Sequence, residues 1–260
     1  MDSKARGIVL KSSDYKDNDK IIRLYTLEQG KLSAVMRGVK KHGAKLKIPS
    51  QVFCFGEYLL NGRLDGFPVV TGCTVEESFF SLAADTDKFA AAAVVMEIME
   101  KALPDGESNP PVFIQALKTM KELLKATTQG DATQGDGGRV LSRQHTPPSP
   151  CVEVILLNFM LSFFRLSGYN LKLEKCAVCG EKSLAERCFD FGAGGAVCRR
   201  CASSDAVKIS PFASGVMLAA GNCETDRLGT LNLALKGVEE GLSLCKRIAE
   251  RIFEIKLLSI

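Results

Sequence analysis

Two tight cysteine pairs, Cys176-Ala-Val-Cys179 and Cys198-Arg-Arg-Cys201, constrain the fold of this chain more than any other feature. Eighteen residues separate Cys179 from Cys198, a spacing in which two knuckles bring four thiolates to one tetrahedral ion. The sequence therefore predicts one structural Zn²⁺ held by Cys176, Cys179, Cys198 and Cys201. Gly180, Gly192, Gly194 and Gly195 supply the tight backbone such turns require. Disulfides would need an oxidising compartment, and the start Met1-Asp2-Ser3-Lys4-Ala5-Arg6 lacks the apolar core of a signal peptide. The expectation is a cytoplasmic protein. A redox pair would stand as one Cys-x-x-Cys near a βαβ pattern, and a catalytic zinc would keep an open position. Four sulfurs close the shell, so no zinc chemistry is expected. Cys188 lacks a knuckle partner and is read as a free thiol; Cys54, Cys73, Cys151, Cys223 and Cys245 sit in apolar surroundings and read as packing residues.

Hydrophobic residues make up 46% of the 260 positions, enough for real cores. The longest apolar stretch, Val154 to Phe164, contains Asn158 and Ser162 and stops at Arg165, too short and too interrupted to span a bilayer. The formal charge of +4 is modest, and a thiolate-bound zinc would reduce it by two. Distribution says more. Between Lys31 and Ser50 stand Lys31, Arg37, Lys40, Lys41, Lys45 and Lys47 with no acidic residue. Such a run is either a solvated connection or a phosphate-binding loop, and its place inside a strand-rich region favours the second.

Residues 1–80 read as five short strands: Ala5–Leu10, Lys20–Tyr25, Lys31–Met36, Val52–Leu60 and Pro68–Val75, with the basic loop between the third and fourth. That order suits an oligonucleotide-binding barrel, the OB-fold. Beyond Ser78 the apolar period becomes helical. Asp85 or Thr86 caps a helix ending near Leu103-Pro104, and a second follows Pro110-Pro111; together they place the first part of a helical domain at 81–125. Residues 126–150 form a low-complexity insert. The helical domain resumes over 151–175 with an apolar helix from Cys151 to Leu166, residues 176–201 form the zinc module, and 202–260 complete the helical domain. Ser210-Pro211 opens one of its helices, and an amphipathic helix runs from about Leu235 to Leu257. The expected class is α+β and multidomain: an N-terminal OB-fold barrel, then a helical domain with an inserted four-cysteine zinc module.

These parts in this order resemble the RecO family of bacterial recombination mediators. The resemblance is carried by Gly7-Ile8-Val9-Leu10, by Ser13-Asp14 and Asp19-Lys20-Ile21-Ile22-Arg23-Leu24-Tyr25-Thr26, by Gly30-Lys31-Leu32, by Arg37-Gly38-Val39-Lys40-Lys41, and by Leu166-Ser167-Gly168-Tyr169 ahead of Cys176-Ala-Val-Cys179-Gly180. It covers nearly the whole chain. The chain departs from the family pattern in its insert and at Ile48-Pro49-Ser50-Gln51. The resemblance implies a non-enzymatic protein that binds single- and double-stranded DNA and anneals strands coated with single-strand-binding protein. It also implies docking of that protein's acidic C-terminal tail and, with RecR, loading of RecA. Zinc varies within the family and rests here on the four thiols.

An OB barrel holds nucleic acid with cations along the backbone and aromatics under the bases. The candidate phosphate contacts are Lys31, Arg37, Lys40, Lys41, Lys45 and Lys47, with Lys20 and Arg23 second. Tyr15, Tyr25, Phe53, Phe55, Tyr58 and Phe67 include possible stacking residues, but aromatics in short strands mostly fill cores, and none is assigned. His42 reads as a surface residue and His145 belongs to the insert. Arg165, Lys246 and Arg247 are candidates for the edge of the tail pocket. Two rival classes compete with this reading. A zinc deaminase would need His-x-Glu ahead of Pro-Cys-x-x-Cys, and neither histidine begins that pattern. A zinc-containing OB-fold adaptor without direct DNA binding shares every feature above and differs in solution behaviour. No phosphate-binding Gly-Lys loop is present.

Overall fold

The computed structural model describes residues 2–63, 66–126, 150–182 and 187–258. The low-complexity insert expected at 126–150, including His145, lies almost wholly outside the described residues. The chain divides into two compact units: one runs to Met120 and takes in Leu257 and Leu258, the other runs from Lys121 to Lys256.

In the first unit, alternating side chains build five strands: β1 (Asp2–Tyr15), β2 (Asp19–Thr26), β3 (Gly30–Met36), β4 (Cys54–Asn61) and β5 (Val69–Ser78). They close into a barrel in the order β1-β2-β3-β5-β4, with β4 returning to β1. β3 and β5 meet in parallel at Val35 and Val69, while the other neighbours are antiparallel. Ile22 and Leu24 of β2 and Leu32, Ala34 and Met36 of β3 join Ala5, Val9, Tyr58, Leu60 and Val70 in the interior. A one-residue slip would turn each set toward solvent, so this core fixes the register. β1 is longer than the sequence suggests. An irregularity between Val9 and Lys11 bends it, so that its first half pairs with β4 and its second with β2.

α1 (Thr86–Ala102) starts where the Asp85 carboxylate accepts the backbone N–H groups of Asp87 and Lys88, each at 3.0 Å, and it stops two residues before Pro104. α2 (Pro110–Lys125) follows. The sequence assigns 81–125 to the helical domain; α1 and most of α2 instead belong to the strand unit. Aromatic packing explains the difference. The ring of Phe89 meets Phe53 edge-on at 5.7 Å, and Phe113 meets Phe55 at 6.0 Å and Tyr25 at 6.2 Å. The strands' outward aromatics therefore need these helices as cover.

In the second unit, α3 (Val152–Leu166) is apolar nearly all round and is packed by α4 (Pro211–Asn222) and α5 (Leu235–Ile252). Its polar residue Asn158 is fully buried yet satisfied. Its amide donates to the carbonyls of Ala220 and Cys223 at 2.8 and 2.9 Å, and its oxygen accepts from the Thr225 hydroxyl at 3.0 Å. Ser210 caps α4 as expected, accepting from Ala213 N at 2.9 Å. α5 ends at Ile252, five residues short of the sequence expectation. There the Phe253 ring turns into Phe163, Phe164 and Tyr169, with centroids 5.3, 6.5 and 5.4 Å away. Three short strands, β6 (Arg187–Asp190), β7 (Gly195–Cys198) and β8 (Val207–Ile209), form a sheet in the order β7-β6-β8.

Candidate nucleic-acid interface and metal centre

The stretch from Arg37 to Gln51 is an ordered series of turns. Backbone bonds run from Lys41 to Gly38, Ala44 to Lys41, Lys47 to Ala44 and Ser50 to Leu46, at 3.1–3.2 Å. Val39 is buried, Leu46 packs on the barrel core, and the Tyr58 hydroxyl donates to Pro49 O at 2.9 Å. Three further bonds tie the loop to the β1–β2 turn: Gly38 N to the Asp19 carboxylate (2.8 Å), Lys40 N to Asn18 O (3.1 Å) and Lys40 Nζ to the Asp14 carboxylate (2.9 Å). The Lys40 hydrogen bond and charge hold the Asp14 carboxyl below its ordinary value. Arg37, Lys41, Lys45 and Lys47 are exposed and carry no ion pair among the described residues, so their charge faces solvent from a braced backbone. His42 is exposed beside them.

Two candidates leave this set. Lys31 is only 7% exposed. Its ammonium donates to the carbonyls of Glu100 and of Leu103 (2.7 Å for the latter) and lies 3.3 Å from the Asp105 carboxylate. It thus satisfies the last carbonyls of α1 rather than a phosphate. Arg23 donates to the Ser33 hydroxyl at 2.9 Å and to the same Asp105 carboxylate. The Arg23 bond, aided by Lys31, holds that carboxyl below its ordinary value despite some burial. The cause is the α1–α2 connection, which lies over the outer face of β2 and β3. Gly106 N donates to Lys31 O, Asn109 N donates to the Tyr25 hydroxyl, and Gly30, at φ 67°, leaves no room for a Cβ beside the Glu107 carbonyl. Lys20 is half-buried at the start of β2, opposite Met36 and in line with the inward Ile22 and Leu24, at the end of the barrel interior. Sequence reasoning left Lys11 and Lys16 unassigned; both are exposed on the β1–β2 hairpin.

The four cysteines of the paired knuckles do converge. Their sulfurs lie within 4.8 Å of one another, with Cys176–Cys198 at 4.0 Å and Cys179–Cys198 at 3.8 Å. A tetrahedral ion with bonds of about 2.3 Å to sulfur needs S···S edges of about 3.8 Å, so the set fits a thiophilic metal. All ten cysteines are unbridged. Cys198 closes β7, and Cys201 follows in a turn whose N–H returns to Cys198 O at 2.9 Å. The N–H groups of Cys179 and Cys198 reach Cys176 Sγ at 3.5 and 3.4 Å. Burial pushes the Cys176 thiol up, but these amides and that of Val178 outweigh it and bring it to about 6, favouring the thiolate that binds metal. Gly195 lets the hairpin seat against Lys172: Ala196 N donates to Lys172 O at 2.7 Å, and a side chain at 195 would overlap that carbonyl. Cys188 lies mid-strand in β6 opposite Val197, outside the cluster. Of the other thiols, Cys54 and Cys245 are buried, while Cys73, Cys151 and Cys223 are half-buried.

The tail-pocket candidates do not gather in one place. Arg165 edges a cavity of about 160 Å³ with Leu161, Tyr169, Met217 and Leu218, whereas Arg247 lies 5.9 Å from the Phe191 ring centre. Among the described residues no helix is long and apolar enough to cross a membrane.

Comparison with known proteins agrees with this layout. The model of the recombination protein O N-terminal domain matches residues 1–79, and that of its C-terminal domain matches residues 144–259. A DNA repair protein RecO of Clostridium novyi (strain NT) is 28% identical over 214 residues, covering 82% of this chain and 75% of that protein. The protein of the same description from Desulfitobacterium hafniense (strain DSM 10664 / DCB-2) is 27% identical over 261 residues, covering 98% and 86%. One from Bacillus pumilus (strain SAFR-032) is 27% identical over 232 residues, covering 88% and 81%. With both halves of the family matched along a strand unit and a cysteine-bearing helical unit, the chain belongs to the RecO family of DNA repair proteins.

Proposed function

We propose that the chain is a non-enzymatic recombination mediator whose first unit is an OB-fold that grips the sugar-phosphate backbone of single- and double-stranded DNA. The single observation that carries this is the basic loop: Arg37, Lys41, Lys45 and Lys47 stand exposed, with no ion pair among the described residues, on a hydrogen-bonded frame at one end of a barrel with OB strand order. Lys40 joins them when DNA displaces Asp14, and Lys20 flanks them. Binding would be electrostatic capture. Five phosphate contacts on a single strand give a slope of log affinity against log salt of about −3.5, at about −0.7 per contact.

In this reading the four thiolates hold one structural Zn²⁺ that braces the β6–β7 hairpin and takes no part in chemistry. The carboxylate tail of single-strand-binding protein docks on the second unit, where the mixed polar and apolar cavity edged by Arg165 offers a cation beside apolar side chains. RecR and, indirectly, RecA complete the set of partners in the cytoplasm. The test is annealing of complementary strands precoated with single-strand-binding protein, alongside a salt titration of DNA binding. A Lys41→Glu/Lys45→Glu variant should bind at least tenfold more weakly with its circular dichroism unchanged. Full affinity in that variant would sink the assignment, and salt-independent behaviour would favour an adaptor without direct DNA contact.

A further inference from the structure

We propose that Tyr15 and Phe67 are stacking platforms for unpaired bases, one on each side of the β2–β3 ladder, and that they bias the basic-loop site toward single strands. It rests on the DNA-binding reading above. Of the six strand and loop aromatics singled out in the first unit, Tyr25, Phe53, Phe55 and Tyr58 are at most 8% exposed, whereas Tyr15 is 39% and Phe67 64% exposed. A single exposed apolar side chain is ordinary, so placement has to carry the inference.

Tyr15 ends β1 opposite Asp19, at the turn that three hydrogen bonds tie to the basic loop. It flanks β2. Phe67 precedes Pro68, whose carbonyl accepts Val35 N at 2.8 Å, so it flanks β3 on the other side. Three strand spacings separate β1 from β5, about 14 Å at about 4.8 Å each. Of the outward residues between them, Ile21, Ser33 and Val35 are half-buried and uncharged, while the charges of Asp19 and Arg23 are engaged by Gly38 N and by Asp105. The far half of the same face is closed by the α1–α2 connection, which leaves this end as the open track. Lys16 Nζ lies over one face of the Tyr15 ring, 5.2 Å from its centre, which leaves the other face for a base and keeps a cation beside the stack for the neighbouring phosphate. A duplex hides its base faces within its own stack. An unpaired strand exposes them to both rings.

The experiment compares wild type, Tyr15→Ala, Phe67→Ala and Tyr15→Phe on three probes of equal length: oligo-dT, a duplex, and an abasic phosphodiester strand. Each alanine variant should bind oligo-dT about tenfold more weakly, with unchanged affinity for the duplex and the abasic strand and an unchanged salt slope. Tyr15→Phe keeps the ring and should keep oligo-dT affinity. The chain contains no tryptophan, so Tyr15→Trp adds a sole indole whose emission oligo-dT should quench and the abasic strand should not. Equal losses on all three probes, or no loss on oligo-dT, with salt-dependent binding intact, would overturn the stacking role alone. Absence of wild-type binding to any probe at low salt would overturn both it and the DNA-binding reading.

Discussion

Replacing Lys31 by methionine removes the buried ammonium and keeps most of the stem. Two charge-assisted bonds are lost, to the carbonyls of Glu100 and Leu103 at the end of α1, at about 1.5–3 kcal/mol each. The ion pair with Asp105 adds little, because that carboxylate is 64% exposed and screened. Allowing for partial rehydration of the freed carbonyls, the expected cost is about 3 kcal/mol. With two compact units, a global unfolding curve mixes transitions, so the sharper assay is amide hydrogen exchange at Gly106 and Asn109, whose N–H groups bond to Lys31 O and the Tyr25 hydroxyl. Their opening should become about a hundredfold more frequent, since about 1.4 kcal/mol is a factor of ten. Affinity for a single strand, measured where the unit is still folded, should not change. Unchanged exchange together with weakened DNA binding would show that Lys31 serves phosphate after all.

The Asp105 carboxyl is held below its ordinary value of 3.8 chiefly by the Arg23 hydrogen bond. Its contribution is therefore full above that pH and lost as pH falls through the lower folded value. Being exposed, it should be small: wild type should exceed Asp105→Asn in stability above the ordinary carboxylate range, and the gap should close as pH falls through the lowered folded value in a circular-dichroism titration. Metal analysis of protein purified under reducing conditions should find one zinc per chain. Chelation, or Cys198→Ser, should then strip exchange protection from residues 172–182 and 187–209 while barrel amides keep theirs; simultaneous loss in both would mean the metal governs the whole fold. Asn158→Leu removes three buried hydrogen bonds, to the carbonyls of Ala220 and Cys223 and from the Thr225 hydroxyl, and should destabilise the second unit by about 3 kcal/mol in chemical denaturation. A loss under about 1 kcal/mol would contradict the role given to that side chain.

The four-cysteine cluster was legible in the sequence because it is made of two local knuckles, each pair of cysteines brought together by one turn. The barrel strands and the caps at Asp85 and Ser210 were legible for the same reason: alternation, capping and proline act over a few residues. Lys31 was not. It alternates with the inward Leu32 and Ala34 and so reads as outward; only the connection some seventy residues later, through Glu100, Leu103 and Asp105, covers it. Arg23 shares that hidden partner. The overlong helix has a like origin, since Leu257 continues the apolar pattern of α5 but is buried in the other unit. Tyr15 and Tyr25 are the same residue type ten positions apart. One sits on a hairpin tip and the other under α2, a distinction that hydropathy cannot draw.

Leu257 is 2% exposed, and the backbone N–H of Leu258 donates to both oxygens of Glu97 at 3.0 and 3.2 Å. Both residues belong to the unit that begins the chain, so among the described residues the polypeptide crosses between units twice and the second is spliced into the first like a cassette. An affinity handle or deletion placed after Lys256 would accordingly register as altered barrel thermostability, with the cysteine cluster untouched.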